Sequence, residues 1–195
     1  MTRIISGAFG GRRIDVPPGA ATRPTSDRVR EALFGRLSHQ DVLAGARVLD
    51  LFAGSGALGL EAVSRGARSV TFVESHRPTL EVLRRNVSGL AGPSAGAASS
   101  VMGEPVGRAL LRGADEPYDL VLADPPYAMP EEELADVLAL LVLHRWLAVD
   151  AVVVVERSSR SPEPRWPAGL GSVDERRYGE TRVWWARTTT DPTVA

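Results

Sequence analysis

The chain has 195 residues, of which 44% are hydrophobic, 24% charged and 6% aromatic, a composition typical of one folded globular domain and unlike that of fibrous or disordered chains. It contains no cysteine, which excludes disulfide frameworks, thiolate metal sites and cysteine nucleophiles. No apolar run approaches the roughly 20 residues that span a bilayer, and the first residues lack the apolar stretch of a signal peptide. We therefore expect a cytoplasmic protein without a membrane partner.

Positive charge is concentrated at one end of the chain, although the formal net charge is only −1. Residues 1–36 contain seven arginines against three acidic residues, and none of the 23 basic residues is lysine. An arginine-rich end of this kind can bind the phosphates of a nucleic acid. It can equally be a solvated face, and the charge count alone leaves both interpretations open.

The first predicted elements are two short strands, Arg3–Ser6 and Arg12–Val16, joined by a glycine-rich turn. A helix is expected to follow, capped by Thr25 or Ser26 and running to about Leu37. The hairpin and the helix together predict a small N-terminal appendage.

From residue 46 onward, strands alternate with helices, which indicates a parallel sheet built from βαβ units. The predicted strands are Arg47–Leu51, Ser69–Glu74, a weak one near Val101, Tyr118–Ala123, Ala151–Glu156, Val173–Tyr178 and Thr181–Arg187. The predicted helices cover about residues 57–65, 77–88, 104–112 and 131–143. The segment Gly89–Ser100 consists almost wholly of small residues and proline, which predicts a flexible surface loop.

These elements predict an α/β fold: a Rossmann-like, mostly parallel sheet flanked by helices, with an antiparallel hairpin at its C-terminal end. We divide the chain into an N-terminal arginine-rich part, residues 1–40, and a main domain, residues 41–195. In the last strand, Trp184 and Trp185 must face opposite sides of the sheet. We expect one of them in the core and leave open whether the other stacks on a ligand.

A glycine loop follows the first strand of the main domain. The run Asp50-Leu-Phe-Ala-Gly-Ser-Gly-Ala-Leu-Gly59 contains G-x-G-x-x-G, and Glu74 lies twenty residues beyond Gly54, at the end of the next strand. This spacing fits the fingerprint of a dinucleotide site, in which glycines let the backbone approach the ligand and the acid accepts hydrogen bonds from ribose hydroxyls. The loop therefore predicts a pocket for an adenosine ribose.

Asp50 decides between the candidate cofactors. A nicotinamide or flavin cofactor would bring a pyrophosphate to the loop, and a carboxylate there would repel it. An aspartate suits a ligand with an ammonium group and a sulfonium, which indicates S-adenosylmethionine. The Asp-x-Phe-x-Gly-x-Gly pattern, which includes Phe52, Gly54 and Gly56, resembles the cofactor motif of the class I methyltransferases.

The fourth strand of the predicted sheet ends in Asp124-Pro-Pro-Tyr127, at the edge where open α/β sheets bind their ligands. Two prolines fix the backbone and remove two N–H donors, so the loop offers hydrogen-bond acceptors. An exocyclic base amine can donate to the Asp124 carboxylate and the Pro125 carbonyl, which directs its lone pair at a methyl group. Pro126 completes the loop, and Tyr127 can stack on the base.

This tetrapeptide resembles the motif of methyltransferases that modify adenine N6, cytosine N4 or guanine N2. Over residues 3–187 the chain looks like the RsmD family, which methylates the N2 amine of one guanine in 16S ribosomal RNA. The runs that carry the resemblance are Thr22-Arg-Pro-Thr-Ser-Asp-Arg-Val-Arg-Glu-Ala-Leu-Phe34, Asp50-Leu-Phe-Ala-Gly-Ser-Gly-Ala-Leu-Gly-Leu-Glu61, Asp124-Pro-Pro-Tyr127 and Tyr178-Gly-Glu-Thr-Arg-Val183.

The resemblance implies a fold, a cofactor and a partner: a class I methyltransferase sheet, S-adenosylmethionine, and the small ribosomal subunit. It adds Ser75 to the cofactor residues and implies an acid after the third strand to hold the cofactor adenine. At that place the chain has Met102-Gly-Glu-Pro105, so Glu104 is the candidate, one position away. We expect a monomer.

RNA contacts are expected from the arginine-rich end. The candidates are Arg3, Arg12, Arg13, Arg23, Thr25 and Arg28. The three histidines share no spacing, so we expect no metal. The alternatives are a DNA adenine-N6 methyltransferase, a nicotinamide-dependent oxidoreductase and a nucleotide-binding module without enzymatic activity.

Overall fold

The computed structural model describes residues 2–17, 27–90 and 97–189. Its strands are β1 (Thr2–Arg3), β2 (Arg13–Ile14), β3 (Arg47–Leu51), β4 (Ser69–Val73), β5 (Ala98–Met102), β6 (Tyr118–Ala123), β7 (Leu147–Ser158), β8 (Leu170–Tyr178) and β9 (Thr181–Thr188). Its helices are α1 (Asp27–His39), α2 (Ala57–Ser64), α3 (Arg77–Leu90), α4 (Val106–Leu110) and α5 (Glu131–Leu143).

Seven strands form the central sheet in the order β5-β4-β3-β6-β7-β9-β8. The first five of these strands are parallel to one another, and β9 pairs antiparallel with both β7 and β8. Strands β1 and β2 form a separate two-stranded sheet. The predicted fold class is confirmed, including the antiparallel C-terminal hairpin and the small N-terminal one.

Helices cover both faces of the sheet, which explains the apolar run at the centre of β7. Val152 and Val154 belong to the cluster with α1, α2 and α3, whereas Val153 and Val155 belong to the cluster with α4 and α5. A strand buried on both faces needs apolar residues at successive positions rather than at alternate ones. None of the helices in the described part of the chain is long and apolar enough to cross a bilayer.

Several predicted boundaries were wrong. Strands β1 and β2 are two residues each. The predicted loop Gly89–Ser100 is shorter, because α3 continues to Leu90 and Ala98–Ser100 pair with β4 as the start of the edge strand β5. The proposed cap residues of α1, Thr25 and Ser26, lie outside the described residues.

Both tryptophans of β9 are buried, on opposite faces as predicted. Trp185 is 1% exposed in the first apolar cluster and Trp184 is 6% exposed in the second. A stacking role for either indole is therefore excluded, because neither ring reaches the surface.

The N-terminal hairpin is docked on α2 through a buried carboxylate. Glu61 is fully buried and accepts hydrogen bonds from the backbone N–H groups of Ile5, at 2.6 Å, and Ser6, at 3.1 Å. The Ser64 hydroxyl accepts a further bond from the N–H of Phe9, at 2.9 Å. Because α2 also follows the glycine loop, the hairpin is attached to the helix that positions that loop.

Candidate active site

Three predicted site segments meet at the carboxyl edge of the sheet. Leu51, the last residue of β3, pairs with Val73 of β4 and with Ala123 of β6. The next residue of each strand is therefore at the same level: Phe52, Glu74 and Asp124. The glycine loop, Glu74 and the Asp124-Pro-Pro-Tyr127 loop are therefore neighbours in the folded chain.

The glycine loop has the backbone that its sequence predicted. Gly54 and Gly56 have φ angles of 57° and 84°, in the left-handed region that glycine adopts without strain. Phe52 also has a positive φ, 59°, which strains a residue with a side chain. The turn is held in place because the N–H of Ala53 donates to the Val73 carbonyl at 3.0 Å.

The third glycine of the motif has a packing role. A Cβ built on Gly59 would lie 2.3 Å from Phe72 Cε1 and 2.9 Å from Asp50 Oδ2. Helix α2 can therefore approach β3 and β4 closely only because residue 59 has no side chain.

Asp50 lies beneath the loop rather than on its surface. Its side chain is 1% exposed, and Oδ2 accepts a hydrogen bond from the N–H of Gly59 at 2.8 Å. Burial raises the pKa of this carboxyl to about 8, against the opposing effect of the Gly59 hydrogen bond, and the charges of Asp124 and Glu74 raise it further. In its ionised form Asp50 is repelled by Glu74 and Asp124, and a cationic ligand would relieve this repulsion.

Glu74 connects the glycine loop to the start of α3. Its Oε2 accepts from the N–H of Gly54 at 3.0 Å, and its Oε1 accepts from the N–H of His76 at 2.7 Å. Ser75, between them, is exposed. Glu104 lies further along the edge with its carboxylate on Arg112, at 2.9 Å, and Arg108, at 3.6 Å.

The loop after β6 turns outward from the core. Pro125 is buried, Pro126 is exposed, and Tyr127 is 46% exposed. An aromatic ring half in solvent beside a site is suited to stacking on a planar ligand.

Sequence reasoning missed Arg157, which lies under this loop. It is 3% exposed, donates to the Met129 carbonyl at 2.8 Å and to the Pro126 carbonyl at 3.5 Å, and forms an ion pair with Glu131. The available signal was a charged pair, Glu156-Arg157, directly after five aliphatic residues. A buried charge in such a place needs a partner.

Asn86 of α3 was also missed. Its Oδ1 accepts from the N–H of Asp15 at 2.9 Å, and its Nδ2 donates to the carbonyls of Asp15 and Ser55 at 3.0 and 2.9 Å. One buried side chain thus joins the segment after β2 to the glycine loop. A lone asparagine in an amphipathic helix gives no sequence signal of this role.

The predicted RNA residues are divided by the structure. Arg3 and Arg13 lie opposite each other on β1 and β2 and are both exposed, as is Arg28 at the start of α1. Arg3 also forms an ion pair with Asp27 at 3.3 Å. Arg12 donates to the Gly89 carbonyl at 3.1 Å and lies over the Phe9 ring. Two further predicted residues, Arg23 and Thr25, lie outside the described residues.

Arg30 and Arg36, which contributed to the basic charge count, have structural partners. Arg30 is 1% exposed and bonded to Thr2 and Asp27, and Arg36 pairs with Asp174. Within the described ranges, no group of three histidine, cysteine or acidic side chains is placed to hold a metal ion.

Comparison with known proteins agrees with this geometry. A family model described as "Conserved hypothetical protein 95" matches residues 2–187. The chain is 38% identical over 179 residues to ribosomal RNA small subunit methyltransferase D of Escherichia coli strain K12, covering 91% of this chain and 85% of that protein. The Haemophilus influenzae protein of the same name is 35% identical over 165 residues, covering 82% and 80%.

The chain belongs to the RsmD family. The solved structure of the Escherichia coli methyltransferase yhhF matches it with a TM-score of 0.84 and 34% identity, covering 97% of this chain and 99% of that one. At 15% identity, magnesium protoporphyrin IX methyltransferase from Synechocystis PCC 6803, solved with bound SAM, shares the fold with a TM-score of 0.63.

The protein is an S-adenosylmethionine-dependent methyltransferase, and its edge residues fit that cofactor. A ligand that carries a sulfonium and an ammonium group would stabilise the ionised form of Asp50 beside Glu74 and Asp124. Gly54 and Gly56 bring bare backbone to the same place.

Proposed function

We propose that this RsmD family member transfers a methyl group to the exocyclic N2 amine of one guanine in 16S ribosomal RNA. The observation that carries the proposal is the register of β4, β3 and β6, in which Glu74, the glycine loop and Asp124-Pro-Pro-Tyr127 follow at one level of the sheet. The relatives from Escherichia coli and Haemophilus influenzae are named for ribosomal RNA of the small subunit, which supports this substrate.

The loop after β6 holds the amine. The Asp124 carboxylate accepts one N–H of N2 and the Pro125 carbonyl accepts the other, so the lone pair leaves conjugation with the ring. Tyr127 stacks on the guanine, which contributes about 1–3 kcal/mol per base. Asp124 accepts the amine proton and passes it to solvent, while the methyl group that N2 receives would be supplied by the bound cofactor.

The other side of the edge holds the cofactor. When bound, S-adenosylmethionine supplies an electrophilic methyl group on a sulfonium sulfur. The residues that would hold it are Asp50, Phe52, Gly54, Gly56, Glu74, Ser75 and Glu104. Glu74 already fixes the glycine loop, and its remaining lone pairs accept from ribose hydroxyls. Glu104 accepts from the adenine amine, in competition with its two arginines.

Residues 1–40 supply RNA contacts and residues 41–195 the chemistry. Exposed Arg3, Arg13 and Arg28 bind phosphates, and Arg12, Arg23 and Thr25 make further RNA contacts. The target guanine lies within the assembled or assembling small subunit. We propose that the enzyme acts there as a cytoplasmic monomer.

The test uses methyl-labelled S-adenosylmethionine with three acceptors: small ribosomal subunits, naked 16S RNA and duplex DNA. We expect label in N2-methylguanosine from a ribosomal acceptor. Label in N6-methyladenine of the duplex would overturn the proposal in favour of a DNA methyltransferase. No label on any acceptor, with the cofactor bound, would overturn it as well.

A further inference from the structure

The motif Tyr178-Gly-Glu-Thr-Arg-Val183 is left without a role by the cofactor and amine sites. It forms the tip of the β8–β9 hairpin, where Tyr178 pairs with Thr181. Because β9 also pairs with β7 through Thr181 and Ser158, this tip lies at the carboxyl edge, next to the end of β7. The hairpin tip therefore lies at the same edge of the sheet as Asp124-Pro-Pro-Tyr127, which we call the catalytic loop.

Three arginines stand side by side across this edge. Arg157 of β7 pairs with Arg182 of β9, and Arg182 pairs with Arg177 of β8. Directly paired residues share a face, and strands are about 4.8 Å apart, so the arginine row Arg157–Arg182–Arg177 spans about 10 Å. Arg182 lies over the ring of Trp184, which places the row on the α5 face.

The row changes character along its length. Arg157, its inner member, is buried under the catalytic loop and paired with Glu131. Arg182 is 25% exposed and 3.5 Å from Glu175. Arg177, the outer member, is exposed, and its Nε donates to the Gly179 carbonyl at 3.1 Å. The row thus leads from beneath Pro126 to open solvent.

An adjacent turn adds a further cation. The N–H of Ser159 donates to the Glu180 carbonyl at 2.7 Å, which ties the turn after β7 to the hairpin tip. Arg160 in that turn is exposed. Its position relative to the arginine row is therefore fixed by backbone hydrogen bonding.

Like charges directly opposite one another destabilise a sheet, and this row has two such pairs in succession. The ion pairs with Glu131 and Glu175 offset part of the repulsion at Arg157 and Arg182. A phosphate bound between neighbouring guanidinium groups would offset the rest, since arginine forms paired hydrogen bonds with phosphate oxygens. Because Arg157 donates to the Pro126 carbonyl, the row starts next to the residue before Tyr127, and the nucleotides that flank a base stacked on Tyr127 would lie along it.

We propose that Arg177 and Arg182, with Arg160 beside them, bind backbone phosphates of the RNA next to the target guanine. This surface is separate from the N-terminal arginines. The inference rests on the proposed function, because it needs an RNA substrate at this edge.

The test is the salt dependence of binding to small ribosomal subunits for wild type and Arg177→Gln/Arg182→Gln. Each lost phosphate contact lowers the slope of log affinity against log salt by about 0.7–0.9, so we expect a decrease of about 1.4–1.8. Arg177→Gln alone, at an exposed position, should give about half of that decrease. Affinity for S-adenosylhomocysteine should not change.

Two controls separate charge from structure. Arg187→Gln changes the same strand at its far end, where Arg187 contacts the Asp150 carbonyl, and should leave the slope unchanged. Arg177→Lys/Arg182→Lys keeps the charges and should keep most of the slope. If neither Arg177→Gln nor Arg177→Gln/Arg182→Gln changed the slope, the inference would be overturned, but the proposed methyl transfer would not be affected. A wild-type protein that neither binds nor methylates the subunits would overturn the proposed function and this inference together.

Discussion

At pH 7 most of the Asp50 carboxyl is protonated in the free protein, because burial raises its pKa to about 8. The sequence suggested that Asp50 attracts a cationic ligand. This attraction therefore arises only when the ligand, once bound, stabilises the ionised form of the carboxyl. The hydrogen bond from Gly59 positions the carboxyl in either state. Asp50 of β3 therefore packs against α2, and its carboxyl can become charged when a cationic ligand binds above it.

This raised pKa predicts how stability varies with pH. The folded protein retains a proton on Asp50 up to about pH 8, whereas the unfolded chain loses it near its ordinary value of 3.8. Between these values the native state binds one proton more, so stability falls as pH rises, by about 1.4 kcal/mol per unit from this group.

Asp50→Asn lacks that proton but can still accept from Gly59. The melting temperature of wild type, measured relative to Asp50→Asn, should therefore fall between pH 5 and pH 8 and level off above pH 8. A difference that stays constant over this range would show that Asp50 is ionised in the folded protein.

At the scale of elements, the sequence predicted the local motifs but not the distant residues that hold them in place. Asp50–Gly59 and Asp124–Tyr127 impose conformations on their own backbone, so residue type and spacing reveal them. Arg157 lies 28 residues from Met129, and Glu61 lies 56 from Ile5. No local pattern encodes such contacts.

In the edge strand β5, local sequence preference predicted a loop where long-range pairing makes a strand. The small residues Ala98–Ser100 have weak strand preference, yet pairing with β4 makes them a strand. The sequence left open whether the second tryptophan of β9 is buried, and the structure buries Trp184 because α5 and its neighbours cover the second face of the sheet. Alternation in a strand indicates two faces but not whether both are buried.

Glycine substitution tests the contact between α2 and the sheet. Gly59→Ala places a Cβ against Phe72, which is fully buried, so we expect a loss of about 1–3 kcal/mol in the free energy of unfolding. Gly35→Ala, in α1, meets no atom within 4 Å and should gain about 0.5–1 kcal/mol. Urea unfolding measures both, and equal effects would contradict the packing role of Gly59.

Arg157→Lys tests the support of the catalytic loop. Lysine keeps the charge near Glu131 but cannot hold the Pro126 and Met129 carbonyls together. We expect kcat to fall about 10- to 100-fold through misplacement of Tyr127 and Asp124. The Kd of S-adenosylhomocysteine should stay at the wild-type value. A fall in cofactor affinity with unchanged kcat would instead place Arg157 in the cofactor site.

Considered as a whole, the molecule connects its N-terminal hairpin to the cofactor site through α2 and α3. Glu61 and Asn86 join the hairpin segment to the helix and loop that follow β3. Ile4 and Phe34 belong to the same apolar cluster as residues of the main sheet, so residues 1–40 and 41–195 share one core.

The hairpin's exposed arginines are tested by Arg3→Gln/Arg13→Gln. The two side chains are paired across β1 and β2, so both can reach one RNA backbone. We expect the salt slope of small-subunit binding to fall by about 1.4–1.8, with cofactor affinity unchanged. Arg68→Gln, an exposed change near the start of β4, is the matched control. A slope equal to that of wild type would show that these arginines form a solvated face and do not contact the RNA.

The central claim is that Asp124-Pro-Pro-Tyr127 directs methyl transfer to guanine N2. The most direct measurement is nucleoside mass spectrometry of small subunits after reaction with wild type or Asp124→Ala, both first shown by calorimetry to bind S-adenosylhomocysteine. The account predicts N2-methylguanosine from wild type and a rate lower by at least about 10²-fold from Asp124→Ala. Methyl label on another base, or wild-type turnover by Asp124→Ala, would contradict it.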